Sequence, residues 1–337
     1  MNILRTSLVA SLLALTAAGC VKTYKTTPPL AFRDYDYSSF DGTPWPLKRI
    51  ALPETTANYQ LARPLELAYV ELNPEGEQTI IFVHGLGSYL KFWRAQLDVF
   101  ARKGYRVIAV DLPGYGKSDK PATFPYTMEA MADAVRELAT LVNAEKPIVA
   151  GHSMGGQTAL SLAIRYPDAV SGLVLTSPAG FELFTTREKA WFKKAMARGL
   201  IKGSPEYGIW GSVRYSNFSR WRPELEWLIE ERVRVVSTPE FDSYAYANVR
   251  TVEGLTRNDF VRDNLDKVTV PTLIVYGDQD RLIPNPFLHA GPVSEIMAYG
   301  HSKIAGSKLV ELAGCGHTVQ LDCPAEYNAA VAEFLAQ

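Results

Sequence analysis

The sequence predicts an α/β fold built on a mostly parallel, twisted sheet with flanking helices, and three observations carry that reading. Near-continuous apolar runs at 79–83, 106–110 and 148–150 alternate with amphipathic stretches at 92–103 and 128–143, the pattern of parallel strands buried on both faces. Next, Gly151-His152-Ser153-Met154-Gly155-Gly156 stands between the run 148–150 and the helix formers 157–164. That is a strand, a sharp turn and a helix, with glycines two positions either side of a serine that let strand and helix pass closely. Finally, the alternation stops between 181 and 266, where Trp191, Trp210, Trp221 and Trp227 join many Tyr and Phe residues, as expected of a helical cap inserted in the sheet.

In chain order, Arg5 precedes an apolar run from Leu8 to Ala18 that ends in small residues before Cys20. Residues 1–19 therefore read as a signal peptide for export, and the run is too short to span a bilayer, which takes about 20 residues. Ala17-Ala18-Gly19-Cys20 resembles the lipobox of bacterial lipoproteins, which implies lipidation of Cys20; Val21, where an Asp would favour the inner membrane, implies an outer-membrane anchor facing the periplasm or the exterior. Residues 20–60, rich in Thr, Pro, Tyr and Ser without a period, read as tether and surface arm. The core is expected over 61–180 and 267–337. It opens with the alternating strand 65–71, closed by the turn Asn73-Pro74-Glu75-Gly76. After 79–83, 106–110 and 148–150 come further strands at 170–175, 272–276 and 307–312, then a closing helix over 324–336 with Pro324 in its first turn.

Composition narrows the function. The chain has 337 residues, a net charge of −1 and 47% hydrophobic residues, so nothing electrostatic points to nucleic acid. With Cys20 set aside, Cys315 and Cys323 remain, either bridged in an oxidising compartment or as two buried thiols. Gly116-Lys117-Ser118 mimics the end of a phosphate loop, but Asp111 occupies the place of its first glycine. Neither a metal nor a cofactor is expected, and the partner is a small-molecule substrate.

An elbow serine needs a base. Of five histidines, His317 follows the last expected strand behind Gly314-Cys315-Gly316, in a loop at the carboxyl edge where open α/β sheets bind ligands. The acid that orients it comes from Gly277-Asp278-Gln279-Asp280, after the strand 272–276, and spacing does not choose between Asp278 and Asp280. Donors for an oxyanion are expected at the backbone amides of Leu86, in His84-Gly85-Leu86-Gly87-Ser88, and of Met154. His84 reads as a brace for its loop, His152 as a pocket-wall residue, and His289 and His301 as structural or surface residues.

From about Leu65 onward the chain resembles the α/β-hydrolase family, particularly its capped branch of esterases, lipases, cofactor-free haloperoxidases and carbon–carbon bond hydrolases. The resemblance rests on five motifs in the family's order: 84–88, Asp111-Leu112-Pro113-Gly114-Tyr115-Gly116-Lys117-Ser118, the elbow at 151–156, 277–284, and Gly314 to His317. The family's Gly-X-X-Asp-X-X-X-Pro falls on Gly277, Asp280 and Pro284, so the resemblance implies Asp280 as the acid and leaves Asp111 structural. Ser153, where epoxide hydrolases and dehalogenases carry Asp, implies an acyl-transferring serine hydrolase. Its expected substrate is a carboxylic ester with an apolar portion; a carbon–carbon or amide bond comes next, and a non-catalytic envelope binding protein last.

Overall fold

The computed structural model describes residues 23–195 and 197–337; the signal peptide and Cys20 lie outside the described residues. The sheet has eight strands in the order β1-β2-β4-β3-β5-β6-β7-β8. They are β1 (Leu47–Leu52), β2 (Leu65–Leu72), β3 (Thr79–Val83), β4 (Arg106–Val110), β5 (Ile148–His152), β6 (Gly172–Thr176), β7 (Thr272–Gly277) and β8 (Lys308–Leu312). β2 pairs antiparallel with both β1 and β4, and every pairing from β4 to β8 is parallel. In β3, β5, β6 and β7 every residue is buried, which is why these strands read as continuous apolar runs.

The chain steps from β3 outward to β4 and then back across to β5, so β3 lies between the two. The connections leaving the carboxyl ends of β3 and β5 diverge there and open a crevice. The loop at 84–88 and the elbow at Ser153 are the two segments that leave from that point.

The helices that pack on the sheet are α1 (Pro53–Asn58), α2 (Leu97–Arg102), α3 (Met128–Leu141) and α4 (Met154–Arg165). α3 starts where Thr127 accepts the Ala130 N–H at 3.2 Å, a side-chain cap. Between β6 and β7 the chain forms the cap from α5 (Thr186–Ala195), α6 (Arg198–Lys202), α7 (Glu206–Trp210), α8 (Trp227–Val235), α9 (Glu240–Leu255) and α10 (Phe260–Asp263). The core is completed by α11 (Val293–Lys303), α12 (Val319–Asp322) and α13 (Pro324–Leu335). Among the described residues no helix is long and apolar enough to cross a membrane.

Two expectations need correction. The stretch 20–60, read as tether and surface arm, contributes the edge strand β1 and buries Phe32, Tyr35, Tyr37 and Trp45 in the main core. These aromatics follow no period because tertiary pockets, not one face of a helix or strand, receive them. The helix expected over 92–103 is broken into a 3₁₀ turn, Leu90–Trp93, and α2. Its start is held by a tertiary partner, the Asp111 carboxylate, which accepts the Leu90 N–H at 2.8 Å.

Candidate active site

Ser153 stands at φ 53° and ψ −115°, between the last residue of β5 and the first of α4. A non-glycine residue there carries about 1–3 kcal/mol of backbone strain, which persists only when its surroundings over-determine it. Here the Ser153 N–H donates to Thr176 O at 2.9 Å, and its carbonyl accepts from Gly156 and Ala179 at 2.9 and 3.0 Å. The flanking glycines are required by contact: a Cβ on Gly151 would lie 2.2 Å from Gly155 O, and one on Gly155 2.3 Å from Val83 O. The serine side chain is thereby presented at the sheet's carboxyl edge, over the positive end of α4.

His317 and Asp280 arrive from two other loops. His317 Nδ1 lies 2.7 Å from Asp280 Oδ2, and both side chains are almost fully buried. The other Asp280 oxygen accepts the N–H groups of Leu282 and Ile283 at 2.8 and 3.1 Å, fixing the carboxylate. An Nδ1–H donated to that carboxylate leaves Nε2 with its lone pair, the tautomer a general base needs. Asp278 does something else, accepting the Gly314 N–H at 2.6 Å and so holding the entry to the His317 loop.

That loop is tied down by features the sequence left open or hid. Cys315 and Cys323 form a disulfide, with Cα atoms 6.0 Å apart. The buried Asp322 carboxylate accepts from Gly316 at 2.7 Å and from Ser219 and Arg220 of the cap at 2.8 and 2.7 Å. Asp322 gave no signal beforehand, since its partners are backbone amides brought close only by the fold. His152 packs its ring 4.9 Å from that of His317 and lies with Nε2 3.2 Å from His317 O. Burial, reinforced by His317, pushes His152 well below the usual histidine range, so it stays neutral.

The loop after β3 is braced as expected. His84 Nδ1 donates to Gly85 O at 2.8 Å and Nε2 accepts the Leu112 N–H at 3.1 Å. Burial pushes its pKa down to about 4, so the ring is a neutral strut. Among the described residues no protein acceptor takes the N–H of Leu86 or of Met154, leaving both amides available to an oxyanion. The cap reaches this loop too: Arg232 donates to Gly87 O, and so does Tyr244, at 3.2 Å. Neither cap residue was singled out in the sequence, where an Arg and a Tyr on amphipathic helices look like surface residues.

A cavity of about 590 Å³ lies between core and cap, with Leu86, Ser153 and His317 on its wall and Phe92, Phe184 and Phe241 among its apolar lining. His289 sits apart between Glu182 and Glu188, at 2.5 and 3.3 Å, and His301 Nδ1 contacts Ser307 Oγ at 2.9 Å. Asp111 is buried, accepting from Tyr37 at 2.6 Å and Lys117 at 2.7 Å, a structural role. Among the described residues no cluster of His, Cys, Asp or Glu is placed to hold a metal ion.

This geometry has many relatives. The chain is 26% identical over 269 residues to the uncharacterized hydrolase YugF of Bacillus subtilis, covering 78% of this chain and 91% of that protein. It is 27% identical over 272 residues to a 2-hydroxy-6-oxononadienedioate/2-hydroxy-6-oxononatrienedioate hydrolase of Klebsiella pneumoniae, covering 78% and 88%. Against ABHD8 of Mus musculus the identity is 27% over 262 residues, and the match takes in 77% of this chain but only 56% of that longer protein. Among solved structures, a probable hydrolytic enzyme from Pseudomonas aeruginosa PAO1 superposes with a TM-score of 0.77 at 25% identity, covering 91% of this chain and 98% of that one. The family model for the alpha/beta hydrolase fold matches residues 78–324, and the chain, a hydrolase, belongs to that family.

Proposed function

We propose that this hydrolase cleaves carboxylic esters with an apolar portion through an acyl-enzyme on Ser153. The Ser153 oxygen attacks the acyl carbon while His317 Nε2 takes its proton. The tetrahedral oxyanion is received by the amides of Leu86 and Met154, donors of a kind worth about 10²–10³ in rate each. Collapse of the intermediate breaks the ester bond, and His317 returns the proton to the leaving alkoxide. Water, activated by the same histidine, then releases the acid. Asp280 keeps the imidazole in its productive tautomer and stabilises the imidazolium. The observation that carries this reading is the 2.7 Å pairing of His317 with a buried, doubly anchored Asp280, with the imidazole and Ser153 on one cavity wall.

The lining of Phe92, Phe184 and Phe241 favours an apolar acyl or alcohol portion. We place the protein in the envelope as part of the same proposal, with residues 1–19 removed and Cys20 lipidated in the outer membrane, the active site facing the periplasm or the exterior.

A second reading, cleavage of a carbon–carbon bond, draws on the relative from Klebsiella pneumoniae. A substrate panel separates the two: p-nitrophenyl butyrate and octanoate against a vinylogous diketone acid and an anilide. The expected outcome is a kcat/KM for the esters at least ~100-fold above the others. Faster turnover of the diketone would transfer the function to the second reading.

A further inference from the structure

The three most exposed large apolar side chains of the described residues belong to the cap or touch it. Leu200 is 62% exposed and Tyr207 81%, and Phe287, 79% exposed, lies against Trp191 of α5 with ring centroids 6.0 Å apart. α5 itself has no buried residue. Phe287 and Ile201 also line the cavity, so the cavity meets the surface beside this edge.

The same edge is basic. Residues 186–202 contain Arg187, Lys189, Lys193, Lys194, Arg198 and Lys202 against Glu188 alone, in a chain whose net charge is −1. Lys189 pairs with Asp259 and Lys202 with Asp242, whereas among the described residues Lys193, Lys194 and Arg198 have no carboxylate within ion-pair distance and are exposed. Side chains of this kind can lay their stems along an apolar phase while keeping the charge at its surface.

Thr23 and Tyr24 are seated at the same corner of the cap. Thr23 Oγ1 and the Tyr24 N–H donate to the two oxygens of Glu206 at 2.7 and 2.9 Å, beside Tyr207, and the Tyr24 ring is buried against Ile209 and Ile229. Cys20, proposed above as the lipidated residue, stands three positions before Thr23 in the chain. An acyl chain on a residue so close to Thr23 tethers this corner of the cap to the bilayer, since three residues span at most about 11 Å.

We propose that the edge formed by α5, α6 and the start of α7 is a docking surface for an anionic lipid membrane, with the cavity opening beside the bilayer. Apolar side chains enter the interface and the lysines and arginines meet lipid headgroups, as in amphipathic interfacial helices. This goes beyond the ester reading and does not depend on it, because the measurement is binding rather than turnover.

The test uses the mature chain from residue 20 with Cys20→Ala, which removes acylation and leaves out the apolar leader that would itself enter vesicles. Co-sedimentation with vesicles of phosphatidylethanolamine and phosphatidylglycerol is compared with phosphatidylcholine vesicles. The expected result is binding to the anionic vesicles that falls at least ~10-fold on Lys193→Glu/Lys194→Glu/Arg198→Glu, since basic residues near an anionic surface are attracted to it and acidic ones repelled. Leu200→Ser/Tyr207→Ser weakens it as well, and raising ionic strength to about 0.5 M, where screening lengths shrink to a few Å, releases the protein. Circular dichroism identical to the parent shows that the variants are folded. Equal binding by parent and variants, equal binding to neutral vesicles, or self-association abolished by the same substitutions without vesicle binding would each overturn the proposal.

Discussion

Ser153 carries a backbone conformation that few non-glycine residues adopt, and it is held by hydrogen bonds at both its amide and its carbonyl. A turn that merely connected a strand to a helix would have no reason to store that strain, so the conformation belongs to the side chain it presents. The serine and the histidine were legible in the sequence because local spacing marks them: glycines at fixed offsets around Ser153, and a strand end just before His317. Spacing alone did not reach the acid, since Asp278 and Asp280 share one loop and spacing does not say which way a side chain turns; the family pattern on Gly277, Asp280 and Pro284 was what singled out Asp280. Their hydrogen bonds separate them, one on a backbone amide and one on an imidazole. Asp280→Asn is accordingly expected to lower kcat by about 10⁴ through the wrong histidine tautomer. Asp278→Asn should keep kcat within about 10-fold and lower the melting temperature instead, since it weakens one partly buried hydrogen bond. Steady-state ester kinetics and thermal melts on both variants check this, and the reverse ranking in kcat would reassign the acid.

At the scale of elements, strands buried on both faces announced themselves, while the aromatic arm did not, because its residues fill pockets made by distant parts of the chain. Tyr37 illustrates this: its hydroxyl meets Asp111, 74 positions away. The cap was visible as a change of composition, yet its contacts with the loop after β3, through Arg232 and Tyr244, depend on helix orientation that composition does not encode. The loop bearing His317 is the element most open to experiment. Cross-linking residues eight apart is worth about 2.5 kcal/mol in the chain-entropy account, and Cys315 lies two positions from the histidine. Cys315→Ser/Cys323→Ser, or reduction by dithiothreitol, should lower the melting temperature and reduce kcat more than it changes KM. Unchanged kcat after verified reduction would show that Asp322 and Asp278 hold the loop without the disulfide.

Across the whole molecule, the sheet gathers four loops at one edge: those after β3 and β5, at the point where the strand order reverses, and those after β7 and β8. In the proposed mechanism the loop after β3 brings the Leu86 amide, the elbow after β5 brings both Ser153 and the Met154 amide, and the loops after β7 and β8 bring Asp280 and His317, with the cap closing an apolar cavity over them. The near-neutral net charge conceals a division between the basic cap edge and the rest of the surface, and only the fold reveals that Thr23 and Tyr24 join that edge. The catalytic reading turns on Ser153 being the nucleophile. The most direct test is the intact mass of the protein after reaction with a fluorophosphonate, in which the attacking oxygen bonds to phosphorus and fluoride leaves. One adduct per chain, located on Ser153 and absent from Ser153→Ala, is expected; labelling that persists in Ser153→Ala, or no labelling of the folded wild type, would contradict it.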